Sequence, residues 1–175
     1  MEKTSFKSTG VYYNYKVKDL KNEKDIALLK IVKNLLSSNS SRILFDHLRK
    51  ENDLVYRCGA YTYNNFGSLT LWAITGNGNI DKVKEEYEKV MIKITDINFI
   101  KEKLSLIKEE YKLDDDLVKE RLYDTLMKEV DKYIETLEKT FYELIKDVTP
   151  EEVKSFIINR LVLVAKYTGL GEENE

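Results

Sequence analysis

The chain has 175 residues, the length of one domain, since domains commonly contain about 100–150 residues. Hydrophobic residues make up 42% and charged residues 34%, with seven glycines and one proline, which excludes disordered and collagen-like chains. The 29 basic and 31 acidic residues leave a formal charge of −2, which argues against nucleic acid or an anionic membrane as a partner.

Cysteine and histidine each occur once, which limits the chemistry of the chain. Cys58 cannot form an internal disulfide, and His47 cannot supply a metal site built from several histidines. No apolar run approaches the roughly 18 residues of a membrane span, and residues 1–4 lack the apolar stretch of a signal peptide. We therefore expect a single cytoplasmic domain over residues 1–175.

The N-terminal region predicts one strand and two helices. Aromatic and β-branched residues alternate over residues 11–17, which is typical of a strand with its odd-numbered positions on one face. Apolar residues at helical spacing predict a core helix over about 26–37. The Ser/Asn cluster at 37–41 breaks this helix and can cap a short second helix over about 41–50.

The middle of the chain predicts an antiparallel hairpin. Residues 54–63 and 68–75 are rich in apolar and β-branched residues, and the turn 64–67 between them is Asn-Asn-Phe-Gly. Gly76-Asn77-Gly78 ends the hairpin, and Asn79 can cap the helix that follows.

The C-terminal half predicts helices. We expect a bend at Asp114-Asp115-Asp116, where adjacent carboxylates repel, and apolar residues return to helical spacing over 117–145. Thr149-Pro150-Glu151-Glu152 combines a capping box with proline at the first helical position, so a last helix begins there and continues to about 166–168. The predicted fold class is α+β, an antiparallel sheet packed on one face by helices, and three strands alone would be thin enough to require further strands or a partner.

Most catalytic motifs are absent from the sequence. His47 and Glu51 at i,i+4 provide only two metal ligands, and Cys58 lies in a predicted strand with no histidine near it, which favours a buried structural thiol. Gly76-x-Gly78 lacks the third glycine of a dinucleotide motif. The tyrosines at positions 12, 13, 15, 61 and 63 could form a stacking platform for RNA, but the neutral charge favours ordinary core and surface positions.

The stretch from Ser40 to Tyr56 carries a more specific pattern than the motifs above. From Ser40-Ser41-Arg42-Ile43-Leu44-Phe45, a capped helix leads to Arg49, and a strand begins near Tyr56, seven positions later. This stretch resembles the Ser-Ser-Arg-Leu-Phe…Leu-Arg-Glu-Lys…Leu-x-Tyr signature in the C-terminal half of insulinase-type zinc peptidases, the family of pitrilysin and mitochondrial processing peptidase. Asn52-Asp53 stands where a charged-Gly or Gln pair is commoner. The order of the later elements follows the same family over nearly the whole chain.

The resemblance implies that two halves of the peptidase have different functions. In the family, two α+β halves enclose a chamber; one carries the His-x-x-Glu-His zinc site and the other is metal-free. This chain resembles the metal-free half, so we expect no cofactor in it, zinc in a partner N-terminal half, and a peptide substrate. The family's arginine and tyrosine that reach the substrate backbone correspond to Arg49 and Tyr56.

Two other functions remain open from the sequence. Members of the same family serve as scaffold or core subunits without a peptidase role. A free-standing binding module that uses the tyrosine-rich sheet is a third possibility, and self-association is also left open.

Overall fold

The computed structural model describes residues 8–63, 66–126 and 140–170. In chain order the elements are β1 (Ser8–Val17), α1 (Glu23–Ser37), α2 (Ile43–Phe45), a π-helical stretch (Asp46–Glu51), β2 (Val55–Tyr63), β3 (Ser68–Gly76), a 3₁₀ turn (Asn77–Asn79), α3 (Ile80–Lys93), α4 (Ile97–Leu126), α5 (Phe141–Ile145), α6 (Pro150–Arg160) and β4 (Leu161–Leu170).

The four strands form one antiparallel sheet in the order β2-β3-β1-β4. The first strand of the chain is therefore central, with β3 on one side and β4 on the other; Tyr13 lies opposite Leu71 and opposite Lys166. The hairpin of β2 and β3 is present as predicted. The predicted fold class, an α+β antiparallel sheet with helices, is confirmed.

The two faces of the sheet differ in burial. The odd-numbered residues of β1 point into the core together with Leu69, Leu71 and Ala73 of β3, and all of them are buried. Helix α1 contributes Leu29, Ile31 and Leu35 to the same core. The helices thus pack on one face, as expected from the alternation in residues 11–17.

The C-terminal strand corrects the sequence prediction. The last helix does not continue to 166–168 but ends at Arg160, and residues 161–170 form β4. Leucine and valine alternate over 161–164, so Leu163 contacts the core while Val162 and Val164 are 46% and 57% exposed. Pairing with β1 satisfies backbone groups that would otherwise leave β1 as an open edge, which explains why the strand is favoured. β4 also supplies the additional strand that a three-stranded sheet required.

The predicted bend at Asp114-Asp115-Asp116 is absent, because α4 runs without a break from Ile97 to Leu126. Asp114 and Asp116 are exposed to water, which screens their repulsion. Of the predicted helical region 117–145, residues 127–139 lie outside the described part of the chain, and α5 begins after a Thr140 cap.

Of the predicted helix caps, the one at Thr149 is present and the one at Asn79 is not. Thr149 accepts a hydrogen bond from the Glu152 amide at 3.2 Å, and the Glu152 carboxylate accepts one from the Thr149 amide at 2.9 Å, so the capping box is confirmed. Asn79 precedes α3 but does not cap it; its Nδ2 instead donates to the Leu54 carbonyl at 3.4 Å. In the turn of the hairpin, Asn64 and Asn65 lie outside the described residues, and Gly67 adopts a φ of +57°.

The helices of the described part of the chain lack the combination of length and hydrophobicity that a membrane span requires.

Candidate functional site

Arg49 lies at the end of the π-helical stretch. Leu48 is fully buried and anchors this stretch, whereas the Arg49 side chain is 42% exposed. The guanidinium forms an ion pair with Asp53, and the Asp53 amide donates to the Arg49 carbonyl at 3.1 Å. Asp53 adopts a φ of +47°, a region that glycine favours and aspartate tolerates. The turn that follows the helix therefore holds Arg49 at the surface through a local carboxylate.

Tyr56 is placed by a β-bulge at the start of β2. Val55 lies opposite Thr75 and Arg57 lies opposite Ile74, so Tyr56 is one extra residue on its strand. Bulges bend a strand and redirect a side chain. Val55 is accordingly buried, whereas Tyr56 is 54% exposed. The Tyr56 hydroxyl lies 3.6 Å from the position that a Cβ at residue 76 would take, at the Gly76 end of the sheet.

The connection between the two candidate residues is anchored to the sheet. The Leu54 carbonyl accepts hydrogen bonds from Thr75 Oγ1 at 2.5 Å and from Asn79 Nδ2 at 3.4 Å. Among the described residues no group hydrogen-bonds the Tyr56 phenol. Arg49 and Tyr56 therefore both stay at the surface, at the two ends of a short fixed connection, and neither is lost in the core.

The face of the sheet away from the core is aromatic. Even-numbered residues of β1 and β3 share this face with the odd-numbered residues of β2 that follow the bulge, from Arg57 onward, as their register requires. Its aromatic side chains, half-buried or exposed, are Tyr12, Tyr61, Tyr63, Trp72 and Tyr167.

Close contacts organise this aromatic face. The rings of Tyr12 and Tyr167 stack with centroids 4.8 Å apart, and those of Tyr61 and Tyr63 meet edge to face at 5.3 Å. Sequence reasoning missed Tyr167 here, because its segment was predicted as a helix; the alternation of Leu161 to Val164 was the available signal.

The tyrosines considered as one stacking platform belong to two faces. Tyr13 and Tyr15 are buried in the core, and burial raises the pKa of Tyr15 well above its ordinary value, with Tyr13 and Glu88 adding to the effect. Tyr12, Tyr61 and Tyr63 remain on the aromatic face. The platform of five tyrosines is therefore not formed.

His47 is engaged by two carboxylates. Its Nδ1 lies 2.8 Å from Glu51 Oε2 and its Nε2 lies 2.5 Å from Glu86 Oε2. Burial alone would raise the pKa of Glu86, but hydrogen bonds from Lys89 and His47 hold that pKa below its ordinary value. Within the described ranges no group of His, Cys, Asp and Glu residues could hold a metal ion, so these residues do not fit a zinc site.

Cys58 lies on β2 and packs against the core. Burial raises the pKa of its thiol to about 11. A thiol with so high a pKa is a weak nucleophile near neutral pH, which agrees with the structural role expected from the sequence.

A comparison with protein families matches residues 1–111 to the model described as the peptidase M16 inactive domain. No match was found among curated proteins.

Solved structures share the fold at low sequence identity. A conserved protein from Enterococcus faecalis V583 is similar with a TM-score of 0.65 and 19% identity, over 96% of this chain and 40% of that one. A protease from Helicobacter pylori gives 0.59 and 15%, over 91% and 39%. An inactive peptidase domain assigned to a zinc protease of Bordetella parapertussis gives 0.58 and 14%, over 95% and 94%. The chain thus spans about two fifths of the first two proteins and nearly all of the third.

Proposed function

Since this chain belongs to the family of peptidase M16 inactive domains, we propose that it is the zinc-free half of an insulinase-type metallopeptidase. Its role is to bind the peptide substrate and to close the chamber. In this proposal a separate N-terminal half holds the zinc, in the same polypeptide or in a partner chain, since no group of His, Cys, Asp and Glu among the described residues could hold a metal ion.

The observation that carries this proposal is the placement of Arg49 and Tyr56. Both side chains are exposed at the ends of the same anchored connection, and the bulge turns the Tyr56 phenol out of the core. A guanidinium and a phenol are hydrogen-bond donors, and a carbonyl that gains negative charge is stabilised most by donors already in position. We therefore assign Arg49 and Tyr56 to donation to the backbone carbonyls of the bound peptide.

Asp53 prepares Arg49 for this role. Its carboxylate holds the guanidinium on one side, and a guanidinium has five N–H donors, so several remain for a peptide carbonyl. A long side chain held in this way loses less conformational freedom on binding than a free one.

The aromatic face provides the wall of the chamber in this proposal. Its half-exposed tyrosines and Trp72 offer apolar surface together with hydroxyl and indole donors, a combination suited to a peptide chain. The proteases among the structural relatives are more than twice as long as this chain, which leaves room for a zinc-bearing half.

Peptidase activity after reassembly with the zinc-bearing half tests the proposal. That half is identified by a His-x-x-Glu-His motif in the same or a neighbouring reading frame. We expect Arg49→Ala and Tyr56→Phe each to lower kcat/KM by about a hundredfold, the loss typical of a transition-state donor. Tyr142→Phe, which changes a half-buried tyrosine of α5, and Arg42→Ala serve as matched controls and should retain activity.

The same experiment separates the scaffold alternative. Full activity in both the Arg49 and Tyr56 variants would reject the substrate-binding role. A reassembled complex that has no peptidase activity with any tested peptide, although the zinc site is loaded, would favour a core or scaffold subunit.

The compartment stays a prediction. The sequence predicts a cytoplasmic location, whereas one structural relative, with a TM-score of 0.60 and 15% identity, is the periplasmic protease PqqL from Escherichia coli.

A further inference from the structure

The outer edge of β4 has no partner strand within residues 8–63, 66–126 and 140–170. β1 pairs with its inner edge only. An open edge presents a row of backbone N–H and C=O groups that can pair with another extended chain. This edge is separated from β2, which carries Tyr56, by the two strands between them, so it is distinct from the site of the proposed function.

A groove of about 580 Å³ borders this edge on the helix side of the sheet. Lys166 and Thr168 of β4 form one wall, and Lys84, Glu85 and Glu88 of α3 form the other. Small-molecule sites are mostly apolar, whereas these walls carry charged side chains. The groove therefore suits a polymer that pairs through its backbone and places side chains against a polar helix.

The bulge in β4 defines which part of the edge is regular. Its register against β1 shifts between Asn14 and Tyr15, where Val164 is the extra residue, and is continuous from 165 to 170. Bulges interrupt pairing with a further strand. The regular part, 165–170, is also the part that borders the groove.

The charges of the groove are matched except at one position. Lys84 pairs with Asp81 at 3.0 Å, and Lys166 pairs with Glu88 at 2.7 Å and lies over the Tyr13 ring. Glu85 is exposed on the same stripe of α3; Lys89 attracts it at longer range, but it forms no hydrogen bond or ion pair with any described residue. Because the Glu85 carboxylate has no close partner in the groove, it favours a positively charged side chain in the occupant.

We propose that the outer edge of β4 binds an extended peptide segment by strand addition over residues 165–170, with a lysine or arginine of that peptide directed to Glu85. Backbone hydrogen bonds supply most of the affinity, and Glu85 supplies the preference for a basic residue. This binding needs neither zinc nor the partner half.

The test measures binding of a fluorescein-labelled Ser-Thr-Val-Lys-Val-Thr-Ser peptide to the whole chain by fluorescence anisotropy. Only alternate N–H groups of an added strand face the protein. We therefore prepare two peptides, each N-methylated on one of the two alternating sets of amides, and expect them to differ in affinity. Methylation of the set that faces β4 should abolish binding, and methylation of the other set should be tolerated. Hydrogen exchange should slow at those backbone amides of 165–170 that point away from β1 when the unmodified peptide binds.

Substitution of Glu85 tests the preference for a basic residue. We expect Glu85→Gln to weaken binding of the lysine peptide by about threefold to fivefold, as for an exposed ion pair, and to leave a peptide with threonine in place of lysine unaffected. Glu109→Gln, at an exposed glutamate of α4, is the matched control. Protection of the outward-facing amides of 165–170 locates the peptide at β4 and does not report binding at Arg49 and Tyr56, so failure of the proposed function would not alter this result.

Three outcomes would overturn the proposal. Equal binding of both N-methylated peptides would exclude strand addition. Protection, in the free chain, of those amides of 165–170 that point away from β1 would show that another part of the chain covers the edge. A dimer in sedimentation that the peptide dissociates would assign the edge to a second copy of the chain.

Discussion

Asp25 in the first turn of α1 forms a two-pronged ion pair with Arg160, the last residue of α6. Asp25 is only 4% exposed, and it also accepts a hydrogen bond from the Lys21 amide at 2.8 Å. Arg160 donates further to the carbonyls of Lys18 and Asp19, at 3.1 and 2.6 Å. The pair thus joins the end of β1, the start of α1 and the junction of α6 with β4.

Removal of the Asp25 charge should destabilise the fold. Asp25→Asn leaves a partly buried guanidinium without its anion, and we expect a loss of about 2–3 kcal/mol in the free energy of unfolding, measured with urea. Asp81→Asn removes a carboxylate from the exposed pair with Lys84 and is the control, with an expected loss below about 1 kcal/mol. Equal losses in the two variants would contradict the structural role of Asp25.

The same pair predicts a pH dependence. The hydrogen bond from Arg160 is the main cause that holds the pKa of Asp25 below its ordinary value, against the opposing effect of burial. A carboxyl group whose folded pKa lies below its unfolded pKa adds stability above the unfolded value, about 4, and loses it as the pH falls through the folded value. The difference in unfolding free energy between wild type and Asp25→Asn should therefore shrink from pH 6 toward pH 2–3. A difference that stays constant over this range would contradict the pKa direction.

The stacked rings of Tyr12 and Tyr167 should stabilise the pairing of β1 with β4. Stacked aromatic pairs contribute about 0.5–1.5 kcal/mol beyond area burial. In a double-mutant cycle with Tyr12→Ala and Tyr167→Ala, we expect a coupling energy of about 1 kcal/mol from urea unfolding. Tyr167→Phe, which keeps the ring, should retain most of it, and a coupling energy near zero would show that the contact does not contribute.

Gly67 should resist substitution because of its backbone conformation. Its φ is +57°, and a Cβ there would lie 3.1 Å from Leu20 Cδ2. We expect Gly67→Ala to cost about 1–2 kcal/mol of unfolding free energy. Gly169→Ala is the matched control, since no atom of the described residues lies within 4 Å of its Cβ position, and it should change stability little. A neutral Gly67→Ala variant would show that the turn relaxes freely.

Substitution of Asp53 tests how the position of the Arg49 side chain affects activity while the charge of Arg49 is kept. Asp53→Asn keeps a residue type that tolerates a positive φ and removes the carboxylate that pairs with Arg49. We expect stability to change by less than about 1 kcal/mol, because the pair is exposed. In the reassembled two-half enzyme, the loss of kcat/KM should be smaller than for Arg49→Ala and should be restored by Asp53→Glu only in part. A larger loss than for Arg49→Ala would assign a different role to Asp53.

The sequence features that indicate the candidate site are local, because they lie within one short stretch of the chain. Arg49 and Tyr56 were identified through a resemblance that depends on seven residues of spacing. The bulge that exposes Tyr56 could not be derived from that spacing, because a bulge depends on the register of β2 against β3. The positive φ of Asp53 agrees with its position, where the family commonly has glycine.

Errors in the predicted fold occurred where local pattern and tertiary context compete. Asp114 and Asp116 are unfavourable within a helix, but α4 continues through them because both project into water. Residues 161–168 follow a well-capped helix, and this local pattern predicts that the helix continues. These residues form a strand instead, because β1 offers backbone groups for them to pair with.

The sequence by itself determined the features that depend on neighbours along the chain: the alternation of residues 11–17, the hairpin of β2 and β3, the Thr149 capping box and the family. Only the tertiary structure decided those that need distant partners. Asp25 and Arg160 are 135 positions apart in the chain, and a strand at 161–170 exists because β1 is there to accept its hydrogen bonds. A helix satisfies its backbone within itself, whereas a strand must find a partner elsewhere, and a single sequence does not specify which partner that is.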